Sequence, residues 1–211
     1  VCAGVLLSAS VAVRAQEEAA AAAPERADPV LAAEEQLQSE AAAREALMLD
    51  VRAYQRQIEA LENREGAFSA GLSEELLGLG LALQRNGDHL GAIEVFKRGV
   101  HISRINEGLY SQRQLSLLQG EIASHIAMGS FEEADERQRY LYRVQAQTLS
   151  EQSRGQALMQ HALWQRQAYE VGVDEEPFAR LNRMWSLYRL ALTETVKVEG
   201  ESSSALLPPL Y

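Results

Sequence analysis

The chain has 211 residues, of which 30 are acidic and 20 are basic, so its formal net charge is −10. Ala, Leu, Glu, Arg and Gln, all strong helix formers, make up more than half of it, whereas Val, Ile and Thr together number only 22. This composition predicts an all-α protein and leaves little material for a large β-sheet. The acidic balance, with only two lysines, argues against nucleic acid as a partner, since that binding depends on clustered Lys and Arg.

The first fifteen residues have the features of an export signal. Residues 1–13 (VCAGVLLSASVAV) carry no charge, and small residues precede the polar run that starts at Gln16. The stretch is too short to span a bilayer, which takes about 20 apolar residues. It matches the apolar region and cleavage site of a secretory signal that lacks its basic beginning. We therefore predict a signal peptide over 1–15 and no integral membrane span; cleavage would remove Cys2, the only cysteine.

A flexible linker is predicted over 16–33, and a long helix over 34–65. The linker has low complexity and contains two prolines, a composition typical of disordered segments. Within the helix, apolar residues recur at alternating spacings of four and three, as in a heptad seam. They are Leu47, Val51, Tyr54, Ile58 and Leu61. We prefer packing of this seam on the next helix; the alternative is a homodimer through residues 34–64.

No proline occurs between residues 30 and 176. The turns between helices in this part of the chain are therefore expected at glycine and polar residues. Glycine is typical of a helix end, and Asp or Ser directly after it is typical of the next N-cap. The pattern predicts a repeat domain over 70–198, then a break and the start of a truncated element over 199–211. Its helices are expected at 73–85, 89–104, 109–128, 131–153, 157–171 and 178–198.

An internal repeat appears when residues 76–99 are aligned with residues 118–141, an offset of 42. Gly87 then lies over Gly129, so both units have a glycine turn between two helices. The residues that indicate a third, weaker unit are Phe178, Leu181, Trp185 and, on the preceding helix, Trp164.

The first unit resembles a tetratricopeptide repeat (TPR), whose two helices carry large apolar, small and aromatic residues at fixed spacings. The matching residues are Leu76, Leu79, Gly80, Leu83, Gly87, Asp88, Ala92, Phe96 and Gly99. In the second unit, Ile122 replaces the packing glycine and Gln138 replaces the aromatic residue. The resemblance covers about residues 70–198 and implies a right-handed α-solenoid of about three helix pairs behind the long helix.

The resemblance also implies a location and a function. Through residues 104–110 and the later aromatic pattern, the chain is similar to uncharacterised exported repeat proteins of Gram-negative bacteria, which implies the periplasm. Repeats of this kind hold a peptide or helix of a partner protein in the groove lined by their first helices. We therefore predict a non-catalytic scaffold. The residues expected to contact the partner are Glu74, Gln84, Arg85, Arg104, Asn106, Tyr110, Ser116 and Gln119.

Two other functions are compatible with the sequence. The chain could be a coiled-coil module that assembles through residues 34–64. It could also be the N-terminal accessory part of a longer protein, since residues 206–211 (LLPPLY) are apolar directly after a polar break.

No motif for catalysis, a cofactor or a metal occurs in the sequence. Gly78 and Gly80 lack the third glycine of a dinucleotide-binding loop, and no histidine has a partner at metal-ligand spacing. We therefore predict no enzymatic activity, no cofactor and no metal site. Aromatic residues at helical spacing are expected to pack between helices. The histidines expected to be solvated or capped are His89, His101, His125 and His161.

Overall fold

The computed structural model describes residues 29–173, 176–200 and 202, a part of the chain that consists of helices joined by turns. We number its helices α1 to α7. Their bounds are Pro29–Glu65 (α1), Leu72–Arg85 (α2), His89–Glu107 (α3), Gln114–Ala127 (α4), Phe131–Thr148 (α5), Glu151–Glu170 (α6) and Pro177–Glu199 (α7). The all-α prediction is confirmed. The predicted signal peptide with Cys2, the linker before Pro29 and the chain from 203 onwards lie outside the described residues.

The chain divides into two compact units, Val1–Ala43 and Arg44–Tyr211. The described part of the first unit is helical, and its side chains from residue 33 onwards are exposed. Gln36 donates a hydrogen bond to Glu40 there, over 3.1 Å. None of the described helices is both long enough and apolar enough to cross a membrane.

The second unit contains three helix pairs, α2–α3, α4–α5 and α6–α7, as the repeat alignment predicts. Consecutive helices from α2 to α7 contact one another, and α2 also contacts α4. Contact between the first helices of neighbouring pairs is expected of stacked helical repeats.

The same turn closes the first helix of every pair. Gly87, Gly129 and Gly172 have φ values of 79°, 73° and 73°, a left-handed conformation that costs glycine little. In each turn the glycine N–H bonds to the carbonyl three residues back, and the next N–H bonds to the carbonyl five residues back. This is the Schellman motif. The turns recur after 42 and then 43 residues, which explains the repeat offset found in the sequence.

Small residues in the first pair allow a buried aromatic ring to lie between three helices. Phe96 is fully buried, and its ring occupies the space where a Cβ on Gly80 would lie, 2.3 Å from Phe96 Cε1. A Cβ on Gly120 of α4 would lie 2.5 Å from Phe96 Cζ. Gly120 lies at the repeat position of Gly78, 42 residues earlier, and like Gly78 it makes room for an aromatic ring from a preceding helix.

The heptad seam of α1 packs within the protein. Val51 and Ile58 are each 6% exposed and belong to the core of the repeat domain. Tyr54 of α1 packs against α2, where a Cβ on Gly78 would be 2.3 Å from the Tyr54 ring. Packing on the next helix, the preferred interpretation of the seam, accounts for these residues.

Besides the end of α3, which lies at Glu107 rather than at 104, three predicted helix bounds or boundaries differ from the structure by more than one residue. The helix α1 begins at Pro29, inside the predicted linker, because proline at a first helical turn loses no hydrogen bond. The helix α4 begins at Gln114 rather than at 109. The Gln114 amide donates to the carbonyls of Gly108 and Leu109, over 3.2 Å each, and so occupies groups that a helix would have used.

The third difference is the boundary between α5 and α6. The sequence predicts one helix through 153 and another from 157, but the chain breaks at Leu149 and Ser150, both of which are extended. Gly155 lies inside α6 and marks a close approach to α7: a Cβ there would be 2.7 Å from Thr195 Oγ1.

The sequence predicted that the aromatic residues pack between helices. Those of α7 do not all do so. Trp164 of α6 is 3% exposed, whereas Phe178 and Trp185 of α7 are 80% and 62% exposed. These two side chains point away from α6, because the face of α7 that packs on α6 is formed by Arg180 and Ala191, which are buried.

Candidate functional site

The predicted partner-binding residues do not form one surface. Gln84 is used inside the fold: its amide donates to the Gly120 carbonyl and to Ser124 Oγ, over 2.8 Å each, and so joins α2 to α4. Asn106 likewise donates to the carbonyls of Phe68 and Ile102, over 2.9 Å each. The N–H₂ groups of both amides are therefore used within the fold.

The charged and aromatic members of the set are exposed at separate places. Arg85 forms an ion pair with Asp50 of α1 over 3.6 Å. Arg104 and Tyr110 are exposed near the connection between the first two pairs, and Glu74 lines a groove between α1 and α2. Ser116 is exposed on α4.

Gln119 is the predicted residue that lies in a groove between two first helices. This groove, a cavity of about 240 Å³, runs between α4 and α6 and has α5 as its floor. We call it the α4–α6 groove. Its lining residues are Gln119, Ile122, Ala123, Ile126, Gln138, Leu141, Gln145, Ala157, Gln160 and His161.

Helical spacing places these residues on one face each of α4, α5 and α6, and the three faces meet at the groove. On α5, Gln138, Leu141 and Gln145 follow one another at three and four residues, so they share one face of the helix. Gln119 with Ile126 on α4, seven residues apart, lies opposite. The result is an apolar floor with amide groups distributed along it.

A buried polar network lies behind the groove. The His161 ring stacks on Tyr142, with ring centroids 4.6 Å apart, and its Nε2 lies 3.4 Å from Nε2 of Gln165. Gln165 Oε1 accepts a hydrogen bond from Arg180 over 3.1 Å. The network thus connects the groove wall on α6 with α7.

The network ends in a buried ion pair. Arg180 donates to both carboxylate oxygens of Asp135, over 2.9 and 3.1 Å, and both residues are 2% exposed. The indole N–H of Trp164 donates to the same carboxylate over 2.8 Å. Burial acts to raise the pKa of Asp135, but the hydrogen bonds from Arg180 and Trp164 outweigh it, so the pKa is lowered. This carboxylate joins α5, α6 and α7.

Two histidines that were expected to be solvated or capped are buried instead. His125 and His161 are 8% and 9% exposed. Burial lowers the pKa of His125, and it lowers the pKa of His161 to about 4. His161 is therefore neutral near pH 7. Within residues 29–173, 176–200 and 202, no three His, Cys, Asp or Glu side chains are grouped so that they could hold a metal ion.

Sequence reasoning missed the α5 and α6 residues of the groove, namely Gln138, Gln145, Gln160 and His161. One signal for them was present. Gln138 stands where the first unit has Phe96, so a polar amide occupies a position that the repeat pattern reserves for a buried ring. Because Phe96 fills the space between α2 and α4, its replacement by a smaller polar side chain is consistent with the opening between α4 and α6.

Comparison with known proteins shows a fold but no sequence family. No protein-family model and no curated protein sequence matches the chain. Among solved structures, it is similar to a kinesin light chain-like protein of Podosopora anserina with nearly identical TPR-like repeats. That match has a TM-score of 0.61 and 16% identity and covers 85% of this chain and 81% of the other. A single-substitution variant of that protein matches equally well, at 15% identity.

A second solved protein has the same kind of fold. BtubC (BKLC) from P. vanneervenii matches with a TM-score of 0.51 and 14% identity, over 78% of this chain and 63% of its own. At these identities the likeness concerns the fold alone. The described helices therefore have the architecture of TPR-like repeat proteins.

Proposed function

We propose that the protein is a non-catalytic scaffold that holds a segment of a partner protein in the α4–α6 groove. TPR-like repeats are suited to this, since stacked pairs present extended surfaces for binding. The observation that carries the proposal is the groove itself, which lies between the first helices of two successive pairs, has an apolar floor that includes Leu141, and has no charged side chain among its lining residues.

Site-specific crosslinking tests this proposal. A photoreactive residue is placed at Gln119 in the groove and, in a matched control, at Gln112, which is exposed on the turn before α4. We expect one protein to crosslink at Gln119 and not at Gln112, and to bind the parent chain after purification. Equal crosslinking at both positions, or none, would contradict a role for the groove.

The location is proposed on separate grounds. The apolar, uncharged residues 1–13 support export to the periplasm. An alkaline phosphatase reporter, active only after export, is fused after residue 30 of the chain preceded by a start codon. Activity that depends on residues 1–15 is the expected result, and an inactive reporter would contradict it.

Self-association through residues 34–64 is less favoured. Two of the seam residues that it would use, Val51 and Ile58, are buried in the core of the second unit. A dimer through them would require that part of α1 to leave the repeat domain.

A further inference from the structure

The last described helix, α7, carries an apolar and aromatic stripe that the described residues leave largely open. Its members follow one another at spacings of three and four, so they lie along one line of the helix. Phe178 and Trp185 are 80% and 62% exposed, and the other three members are half-buried. We call this line the α7 stripe; its residues are Phe178, Leu181, Trp185, Tyr188 and Leu192.

The α7 stripe is separate from the face that packs on α6. That face contains Arg180 and Ala191, which are buried. At 3.6 residues per turn, Trp185 lies about 120° around the helix from Ala191. No member of the stripe is charged, in a chain of which 24% is charged. Contiguous exposed apolar surface of this kind marks a site of interaction.

The place of α7 in the repeat stack also indicates that the stripe is covered. The helix is the second of the third pair and contacts α6, and no further helix follows it within the described residues. The outer helix of a stacked repeat array needs a polar outer face to stay in solution. The α7 stripe has the opposite character, so we expect another segment to pack on it.

The chain itself supplies an apolar segment close by. Residues 205–211 (ALLPPLY) include three leucines, two prolines and no charge, and they follow the polar residues 201–204 (ESSS). Consecutive prolines disfavour a helix and favour an extended polyproline conformation. Segments of that kind bind to surfaces lined with aromatic side chains. The α7 stripe offers three aromatic rings, those of Phe178, Trp185 and Tyr188.

The geometry after α7 allows this segment to return along the helix. Gly200 has a φ of 85°, a left-handed conformation that ends the helix, and Ser202 lies in a turn. From the end of α7 back to Trp185 the distance along the helix is about 21 Å at 1.5 Å per residue. The seven residues from Gly200 to Leu207 span up to about 23 Å when extended. The segment is therefore long enough to lie antiparallel to α7 on the stripe.

We propose that residues 205–211 fold back along α7 and cover the α7 stripe, with Pro208 and Pro209 against Trp185. The short connection gives the segment an effective concentration in the millimolar range. A second copy of the chain would have to bind the same stripe from free solution, so the chain's own segment is favoured. The stripe is thus a site for an uncharged, proline-containing segment that the chain provides in cis.

Quenching of tryptophan fluorescence by acrylamide tests this inference in the full chain. Trp164 is 3% exposed, so quenching reports mainly on Trp185, the other tryptophan. In the serine variant, Leu206→Ser, Leu207→Ser and Leu210→Ser are combined. We expect the quenching constant to be at least twofold higher in the serine variant than in the parent. Equal quenching in the two chains would overturn the inference.

Two controls show that the change arises at the stripe. Leu90→Ser replaces a leucine that is 66% exposed on α3, and it should leave the quenching constant unchanged. Trp185→Phe measures the small contribution of Trp164. The helix content by circular dichroism should be the same in the parent and the serine variant, because the three leucines lie outside α1 to α7.

Addition of the segment in trans tests direct contact. A synthetic peptide ALLPPLY with blocked ends should restore low quenching in the serine variant, whereas the peptide ASSPPSY should not. If neither peptide restored it, coverage of Trp185 by this segment would be wrong. Sedimentation velocity tests the rival occupant: a parent dimer that Trp185→Ser converts to a monomer would overturn the inference and assign the stripe to a second copy of the chain.

Discussion

At the scale of single residues, the first pair depends on small side chains around Phe96. Ala92 is fully buried, and Gly80 is so close to the Phe96 ring that a Cβ would overlap it. We expect Gly80→Leu or Ala92→Leu to lower the free energy of unfolding by about 3 kcal/mol, since added methylenes in a packed core force side chains and backbone apart. Urea unfolding followed by circular dichroism measures this.

The control for that pair of variants is Ala127→Leu at the exposed end of α4, which should change the unfolding free energy by less than about 0.5 kcal/mol. If Gly80→Leu and Ala92→Leu melted like the parent, the assignment of these residues to a close helix contact would be wrong.

His161 gives the protein a dependence on pH. Burial lowers its pKa from 6.5 to about 4, so the unfolded chain takes up a proton at a higher pH than the folded one. The stabilisation is therefore complete above pH 6.5 and is lost as the pH falls towards 4. Asp135 and Arg180, which also influence this pKa, keep their charges over that range.

Between pH 7.5 and pH 5.0 we expect His161 to account for a loss of about 2 kcal/mol in unfolding free energy. His161→Gln removes the titrating group, so its stability should change less between the two pH values, whatever its absolute level. Denaturant unfolding at both pH values gives the two slopes. Identical slopes for parent and variant would show that His161 titrates normally.

At the scale of helices, the ends that the sequence predicts are those marked by glycine. Gly66, Gly87, Gly108, Gly129, Gly172 and Gly200 have positive φ and follow the ends of six described helices. The end of α5 lacks one: Leu149 and Ser150 leave the helix in an extended conformation. Ser150, a residue type favoured at N-caps, is a weak signal for the start of α6, whereas Gly155 indicated the break a few residues too late.

The junction of α5, α6 and α7 depends on the Asp135 carboxylate. Removing Asp135 takes away a carboxylate that pairs with both Arg180 and Arg139 and that accepts the Trp164 N–H. We expect Asp135→Ala to lower the unfolding free energy by about 3 kcal/mol, because it removes several charge-assisted hydrogen bonds inside the fold. Glu132→Ala, on the exposed side of the same helix, is the control, and equal unfolding midpoints for the two variants would contradict the role of Asp135.

At the scale of the whole repeat domain, stability should be distributed between neighbouring pairs. In stacked repeats each pair contacts only its neighbours, so a local defect loses effect with distance. Trp164 reports on the third pair when Trp185, the other tryptophan, is replaced by Phe. In that background, Gly80→Leu should shift the unfolding midpoint seen by circular dichroism more than the midpoint seen by Trp164 fluorescence.

Asp135→Ala in the same background should have the reverse effect, because Asp135 contacts Trp164 directly. Coincident midpoints for both probes in both variants would show that the domain unfolds as one cooperative unit and would contradict this division.

The sequence predicts more of the fold than of the groove. Helix pairs follow from local signals, such as the turn at Gly87 and the small residue at Ala92. The groove depends on side chains from α4, α5 and α6 that are up to 42 residues apart, from Gln119 to His161. Their meeting follows from the packing of two pairs, and glutamine on a helix is by itself an ordinary surface residue.

The groove is backed by a second cavity of about 380 Å³, which lies between α5, α6 and α7. Gln145 and Ala157 line both spaces, so these two side chains form part of the partition between them. A small synthetic molecule anchored in the groove could displace Gln145 and extend into the rear cavity, which Tyr142, Leu149 and Leu190 also line. An inhibitor that displaces Gln145 would thus gain the volume of the rear cavity, which a peptide held in the groove would not use.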